Sequence, residues 1–260
     1  MTTNASFIYY RDKSFGKKLN EKEIGEILGL EANRLDSSAK ICGITYFEHF
    51  KIPDTRHFSL STTYPGLIIG AGYNHPAGKI EEDNSSDFQL GFYFDHTTGM
   101  PVIPGSTVKG ILKSVFPKDG DKAEIKKEKM KYINTEVIKD ILKINGLELV
   151  DNKGDKNDWR RLFEKGNIFY DSYISATDDG RVFAEDYITP HKNIFKNPIP
   201  IRFLKIAPDV TFTFQFKLKD SCFKNSQKIS SNEKLKLFKK ILLDFGIGAK
   251  RNVGYGNLIE

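Results

Sequence analysis

The chain has 260 residues, 39% hydrophobic and 28% charged, which is enough to bury a proper core in one large domain or two small ones. No apolar run approaches the roughly 20 residues of a membrane helix, and Met1 to Ser6 lacks the cationic start and apolar core of a signal peptide, so the composition predicts a protein without a membrane role. Its two cysteines, Cys42 and Cys222, stand far apart in the chain and form no disulfide framework, which predicts a reduced, cytoplasmic protein.

Residues 1–56 read as a helical N-terminal extension. Ile24, Ile27 and Leu28 share one face of a predicted helix from Glu21 to Leu30, and a second helix is predicted from Ser37 to Phe50, ending before Pro53. Alternation begins at His57 and predicts a strand to Tyr64. Residues 73–87 are polar and carry Glu81, Glu82, Asp83 and Asp87, the signature of a loop, and Phe88 to Phe94 returns to strand character. Pro101 to Gly110 is irregular up to Ser106. Ser106 or Thr107 is then placed to cap a helix that runs to about Phe116 and stops at Pro117.

A Lys/Glu-rich, mostly helical insertion follows at about 118–166. Strands are predicted at Ile168 to Ile174 and Val182 to Ile188. Pro198 to Leu204 and Val210 to Leu218 read as a β pair turning at Ala207 to Asp209. The helix 232–245 turns Leu235, Phe238, Leu242 and Phe245 to the core and Lys234, Lys236, Lys239 and Lys240 to solvent. This order predicts an α+β fold with an antiparallel sheet and helices on one face, as in the ferredoxin-like split β-α-β. The domain it implies spans 57–260.

The net charge of +6 is unevenly placed: His191 to Arg251 holds 14 lysines and arginines against 4 acids, while the rest of the chain is slightly acidic. A basic segment of this kind predicts a surface for phosphates, and nucleic acid is the commonest polyanion. It ends in Phe245-Gly-Ile-Gly-Ala-Lys-Arg-Asn-Val-Gly-Tyr-Gly-Asn257, where Gly246, Gly248, Gly254 and Gly256 bracket Lys250 and Arg251. Two readings stand for this loop: simple turns, or a phosphate seat built from bare N–H groups and two cations. A dinucleotide fingerprint is excluded because Arg251 occupies the position of its third glycine, and no Gly-Lys-Ser/Thr of a P-loop occurs. The start of the helix after Pro104 offers a second seat, with Gly105 allowing close approach, Ser106 at the helix opening and Lys109 one turn in.

The five histidines lack metal-ligand spacing, there is no Gly-x-Ser-x-Gly elbow, and no cofactor is expected. The acidic loop reads either as a solvated loop or, through Asp83 and Asp87, as the metal site of an endoribonuclease. Asp171 and Asp186 are candidate strand partners for the basic segment.

Taken in order, these segments resemble the RAMP superfamily of CRISPR-associated RNA-binding proteins. Pro101-Val-Ile-Pro-Gly-Ser-Thr-Val-Lys-Gly110 is similar to that superfamily's Pro-x-Ile-Pro-Gly-Ser-Ser-x-Lys-Gly element, and Phe245 to Gly256 to its C-terminal glycine-rich loop. Asp186-Tyr-Ile-Thr-Pro-His191 and Pro198-Ile-Pro-Ile-Arg-Phe-Leu204 narrow the resemblance to the family of sixth RAMP subunits of the type III-B (Cmr) effector complex. Arg251 departs from the Thr or Ser that usually follows the lysine of the loop.

The resemblance, which covers about His57 to the C-terminus, implies an RRM-like core with insertions. It implies a non-catalytic subunit in an antiviral ribonucleoprotein, at the end of a backbone filament, holding the 3′ part of a guide RNA and its target duplex. The implied partners are guide RNA, target RNA, other RAMP backbone subunits and the small helical subunit of the complex. The implied RNA contacts are Gly105, Ser106, Lys109, His191, Lys192, Arg202, Gly246, Gly248, Lys250, Arg251, Gly254 and Tyr255. Ile194 and Phe195 lie in a segment that either wedges into the duplex or packs in the core.

Overall fold

The computed structural model describes residues 52–69, 93–95, 100–178, 181–188 and 201–260. The predicted helices 21–30 and 37–50, the acidic loop 73–87, and His191, Lys192, Ile194 and Phe195 lie outside the described residues.

The centre of the fold is β8 (Val210–Lys217), whose alternation sends Phe212, Phe214 and Phe216 to one face, all fully buried, and Thr211, Thr213 and Gln215 to the other. It pairs antiparallel with β1 (Arg56–Thr62) in a register that sets Phe58 opposite Phe214 and Leu60 opposite Phe212. On the polar face the same register puts Ser59 Oγ 2.8 Å from Thr213 Oγ1 and Ser61 Oγ 2.9 Å from Thr211 Oγ1. A one-residue slip would exchange the two faces, so this pairing is strongly specified.

The sheet runs β11 (Leu258–Ile259), β1, β8, β5 (Ser172–Thr177), β3 (Pro101–Ile103), β2 (Tyr93–Phe94), and every pair is antiparallel. β4 (Ile168–Phe169) pairs with the far end of β8. The single predicted strand Ile168 to Ile174 is thus two, broken at Tyr170 and Asp171.

The apolar face is covered by helices. α3 (Ser231–Phe245) opens with a capping box: Glu233 N–H donates to Ser230 Oγ at 3.3 Å and Ser230 N–H donates to Glu233 Oε2 at 2.7 Å. Its Leu237, Phe238, Ile241 and Leu242 are fully buried, each contributing about 1.5–3 kcal/mol relative to exposure. Phe238 packs 5.8 Å from Phe216 and 5.6 Å from Phe163, ring centre to ring centre. α1 (Gly105–Ser114) lies beside α3 and buries Val108 and Leu112. Neither Ser106 nor Thr107 caps α1. Its cap is Pro104, whose C=O accepts from the Thr107 and Val108 N–H groups, because the Gly105 N–H already has a carboxylate partner in Asp171. Asp171 therefore serves a helix start, not the basic segment.

The 118–166 region joins the same core. α2 (Ala123–Tyr132) continues into a wider helical coil, Ile133–Ile141, that buries Ile133, Val137 and Ile138. A short turn at Trp159–Phe163 stacks Trp159 on Phe116 at 4.7 Å. Two further short strands, β9 (Ser221–Cys222) and β10 (Lys228–Ile229), form a ribbon before α3.

Two further sequence expectations are corrected here. β7 (Ile201–Ile206) does not pair with β8: it pairs with β6 (Phe183–Ile188) in a separate two-stranded sheet. Ala207 to Asp209 is a crossover between sheets, fixed by Thr62. The Thr62 Oγ1 donates to Ala207 C=O at 2.8 Å and accepts from Val210 N–H at 3.0 Å, while Asp209 N–H donates to Thr62 C=O.

Lys234 is the second correction: it is fully buried, its Nζ 3.5 Å from Asn167 Oδ1. Burial, opposed in part by Glu164 and Asp220, lowers its pKa from 10.5 to about 8. The folded state therefore binds fewer protons than the unfolded chain between about pH 8 and 10.5, and stability should rise with pH across that window. At about 1.4 kcal/mol per pH unit the charge costs roughly 3 kcal/mol at neutral pH. Lys234→Met should raise the denaturant midpoint at pH 7 accordingly and flatten the rise with pH; a lower midpoint at pH 7 would contradict this account.

Candidate functional site

The C-terminal loop owes its course to glycines at positive φ that meet other backbone. A Cβ on Gly256 (φ 76°) would lie 1.8 Å from the Ile247 carbonyl oxygen, and one on Gly248 (φ 94°) 2.2 Å from the Ile68 oxygen. The loop is stitched on both sides: Ile247 N–H donates to Gly256 C=O at 2.9 Å, Ala249 N–H to Ile68 C=O at 2.7 Å and Gly256 N–H to Gly66 C=O at 2.8 Å. These amides, with those of Gly246, Val253 and Gly254, already have partners within the protein. The expectation of bare N–H groups is therefore corrected for these amides. Gly246, Gly248, Gly254 and Gly256 hold the loop's shape.

Lys250 and Arg251 diverge. Lys250 sits in the left-handed region (φ 57°), exposed, with no carboxylate in ion-pair range among the described residues. Arg251 Nη1 donates to Phe245 C=O at 3.0 Å and so closes the last turn of α3, a favourable use of a cation at the negative end of a helix.

Tyr255 is turned inward. Its hydroxyl donates to Asp186 Oδ2 at 2.5 Å, and the same oxygen accepts from Lys205 Nζ at 2.6 Å. Lys205 is buried, and its ammonium lies 5.6 Å from the centre of the Tyr255 ring. Burial favours the neutral Asp186 acid, but the Lys205, Tyr255 and Tyr187 N–H hydrogen bonds outweigh it and hold the carboxyl below its usual range. Burial, and then the Asp186 carboxylate, push the Tyr255 hydroxyl well up. With Ile68, Phe203 and Ala249 this cluster docks the loop on the β6–β7 hairpin. The expected pairing of Asp186 with the basic segment is thus met by Lys205. Arg202 sits in β7 opposite Tyr187.

At the start of α1, Gly105 is packed against β4: a Cβ there would meet the Phe169 carbonyl oxygen at 2.0 Å, and its N–H donates to Asp171 Oδ1 at 2.7 Å. The anion at this N-terminus is supplied by the protein itself. Ser106 is exposed. Lys109 Nζ lies 5.4 Å from the centre of the Phe169 ring and Lys113 Nζ 5.6 Å from that of Phe163. Neither lysine has a carboxylate partner among the described residues, and Gly110 leaves the surface between them open. Burial, then the Lys109 and Arg160 charges, lower the Lys113 pKa. The outer face of α1 is thus an uncompensated cationic strip, and Lys113 belongs to it at i+4 from Lys109, a spacing readable in the sequence but not used there.

Of the expected contacts, the structure leaves Ser106, Lys109 and Lys250 open to solvent in whole or part, while Gly105 and Tyr255 turn inward and Arg251 binds a helix end. His191 and Lys192 lie outside the described residues. No group of three His, Cys, Asp or Glu side chains among the described residues is placed to hold a metal ion, and no helix among them is long and apolar enough to cross a membrane.

The RAMP superfamily model matches residues 59–259. The CRISPR system Cmr subunit Cmr6 of Pyrococcus furiosus is 26% identical over 244 residues, an alignment that covers 76% of this chain and 66%, just under two thirds, of that protein. The protein of the same name from Saccharolobus solfataricus is 24% identical over 262 residues, covering 94% of this chain and 72% of that one. Among solved structures, a chain of the type III-B Cmr-beta bound to cognate target RNA aligns with a TM-score of 0.52 at 23% identity, over 91% of this chain and 69% of that chain, a likeness of fold.

Proposed function

The chain belongs to the RAMP superfamily, and from that premise we propose that it is the sixth RAMP subunit of a type III-B CRISPR ribonucleoprotein. In this reading it is a non-catalytic, RNA-binding subunit. It closes the end of the backbone filament and holds the 3′ part of the guide RNA and its target duplex, beside other RAMP subunits and the small helical subunit. The observation that carries the reading is Lys250, exposed and without a carboxylate in ion-pair range among the described residues, on a loop hydrogen-bonded to Gly66 and Ile68. The strip of Ser106, Lys109 and Lys113 on α1 supplies a second point of backbone contact. Cations placed this way fix a strand's position without reading its sequence, which is left to base pairing between guide and target. The residues His191, Lys192, Ile194 and Phe195 fall between β6 and β7 in the sequence.

Single-stranded RNA binding measured across a salt series tests this. Wild type should bind with an affinity that falls linearly in log salt. Lys250→Ala should lower the slope by about 0.7, the value for one phosphate contact on a single strand. Arg251→Ala should act differently, costing about 1 kcal/mol of stability through the lost Phe245 hydrogen bond. Salt-independent binding, or none at low salt, would overturn the proposal. Cleavage of RNA that Asp83→Ala/Asp87→Ala abolishes would replace it with an endoribonuclease.

A further inference from the structure

Tyr64 is the most exposed large hydrophobic side chain among the described residues, 84% open to solvent. The sequence predicts it as the last residue of a strand, but β1 stops at Thr62, and Tyr64 stands instead on a turn closed by the Gly66 N–H donating to Thr63 C=O at 2.7 Å. That turn is not free. Thr63 N–H donates to Asn257 C=O at 3.1 Å, and Gly66 C=O accepts from Gly256 N–H. A Cβ on Gly254 would lie 3.4 Å from Pro65 Cδ. Tyr64 is also close enough to Tyr255 to add to the rise in that hydroxyl's pKa. Within the loop, the Lys250 C=O accepts from Val253 N–H at 3.1 Å, and Val253 is 67% exposed. The turn and the loop it is hydrogen-bonded to thus present a bare aromatic ring, an exposed apolar side chain and the Lys250 ammonium, which has no carboxylate in ion-pair range among the described residues.

An exposed aromatic ring on a turn hydrogen-bonded to a loop that carries an exposed cation fits a nucleotide, whose base offers a flat π face and whose phosphate offers a charge. The charge favours this occupant over an apolar protein surface, since Lys250 would have to be buried without a partner there. We infer that Tyr64 is a stacking platform for one base of the strand whose phosphate Lys250 contacts. This rests on the RNA-binding reading above and adds to it a contact with a base, which no cation on the surface provides.

The test compares the full chain binding to a single-stranded RNA and to a stable abasic strand of the same length, at constant salt. Tyr64→Ala should bind the RNA about 5- to 150-fold more weakly, the range for one base stacked on an aromatic ring, and bind the abasic strand as wild type does. Tyr64→Phe should retain affinity for both. All variants should unfold at the wild-type denaturant midpoint, because the side chain is in solvent. Equal loss on both strands, or no loss on RNA, overturns the inference. If Lys250→Ala weakens RNA binding and Tyr64→Ala does not, the RNA-binding reading stands and the stack falls. If wild type binds neither strand at low salt, both fall.

Discussion

Gly256→Ala should unfold the C-terminal loop and destabilise the protein by at least about 3 kcal/mol, the sum of a strained positive φ and a backbone collision that cannot relax locally. The added Cβ would sit 1.8 Å from the Ile247 oxygen, and the Gly256 amide and carbonyl both bond across the loop, so neither side can retreat without losing a hydrogen bond. Gly110→Ala is the matched control. It lies inside α1 with nothing within 4 Å of the new methyl, and should raise stability by about 0.5–1 kcal/mol. Denaturant melts of the two variants read the difference directly, and equal midpoints would show that the loop's glycines are not structural.

Asp186→Ala should destabilise by about 3 kcal/mol, the lower end of the range for removing one member of a buried pair, since about a third of the Asp186 side chain remains in water. The cost arises because Lys205 is left buried with its charge unmatched and the Tyr255 hydroxyl loses its acceptor. The pH dependence follows from the sign of the shift. A carboxyl held below its ordinary value contributes stability above pH about 4 and loses it as pH falls through the lowered value. The gap between wild type and Asp186→Ala should therefore be full at pH 7 and narrow in acid. A gap independent of pH would mean that the carboxylate's charge is not what stabilises the cluster.

Much of the fold was legible in the sequence because burial imposes period. Val210 to Leu218 alternates so regularly that β8 could be placed to within a residue, and the apolar face of 232–245 predicts α3. Pairing was less legible. The β7–β8 hairpin was inferred from adjacency and a turn signal, yet the chain crosses between sheets there, because Thr62 offers hydrogen bonds to both ends of the crossover from almost 150 residues away. No local pattern announces that. Lys234 was misread for a related reason: its helical position borders the apolar face, and only the three-dimensional packing of Asn167 and its neighbours reveals that the lysine is covered.

The candidate site shows the same division. Four glycines flanking Lys-Arg marked the loop, but identical glycines serve an anion nest or a tightly packed turn, and the distinction lies in what each Cβ would touch. Asp186, in the element Asp186-Tyr-Ile-Thr-Pro-His191, and Tyr255, in the glycine-rich loop, were visible in two separate motifs. That Asp186 and Tyr255 share a hydrogen bond links them through the fold, a connection sequence spacing does not contain. Tyr64 and Lys113 carried no motif and became visible through exposure and neighbourhood alone.

The position of β1 has a consequence for how the protein is made. It leaves the ribosome before either strand that flanks it, since β8 and β11 both lie far downstream of it in the sequence. The turn that carries Tyr64 likewise waits for Gly256 and Asn257. Contacts between partners so distant in sequence close large loops and are slow to form. The order of synthesis and the order of strands in the sheet are thus opposed. The surface assigned to RNA is completed only after Gly256 and Asn257 have been made, so a nascent chain that stops before them holds no finished version of it.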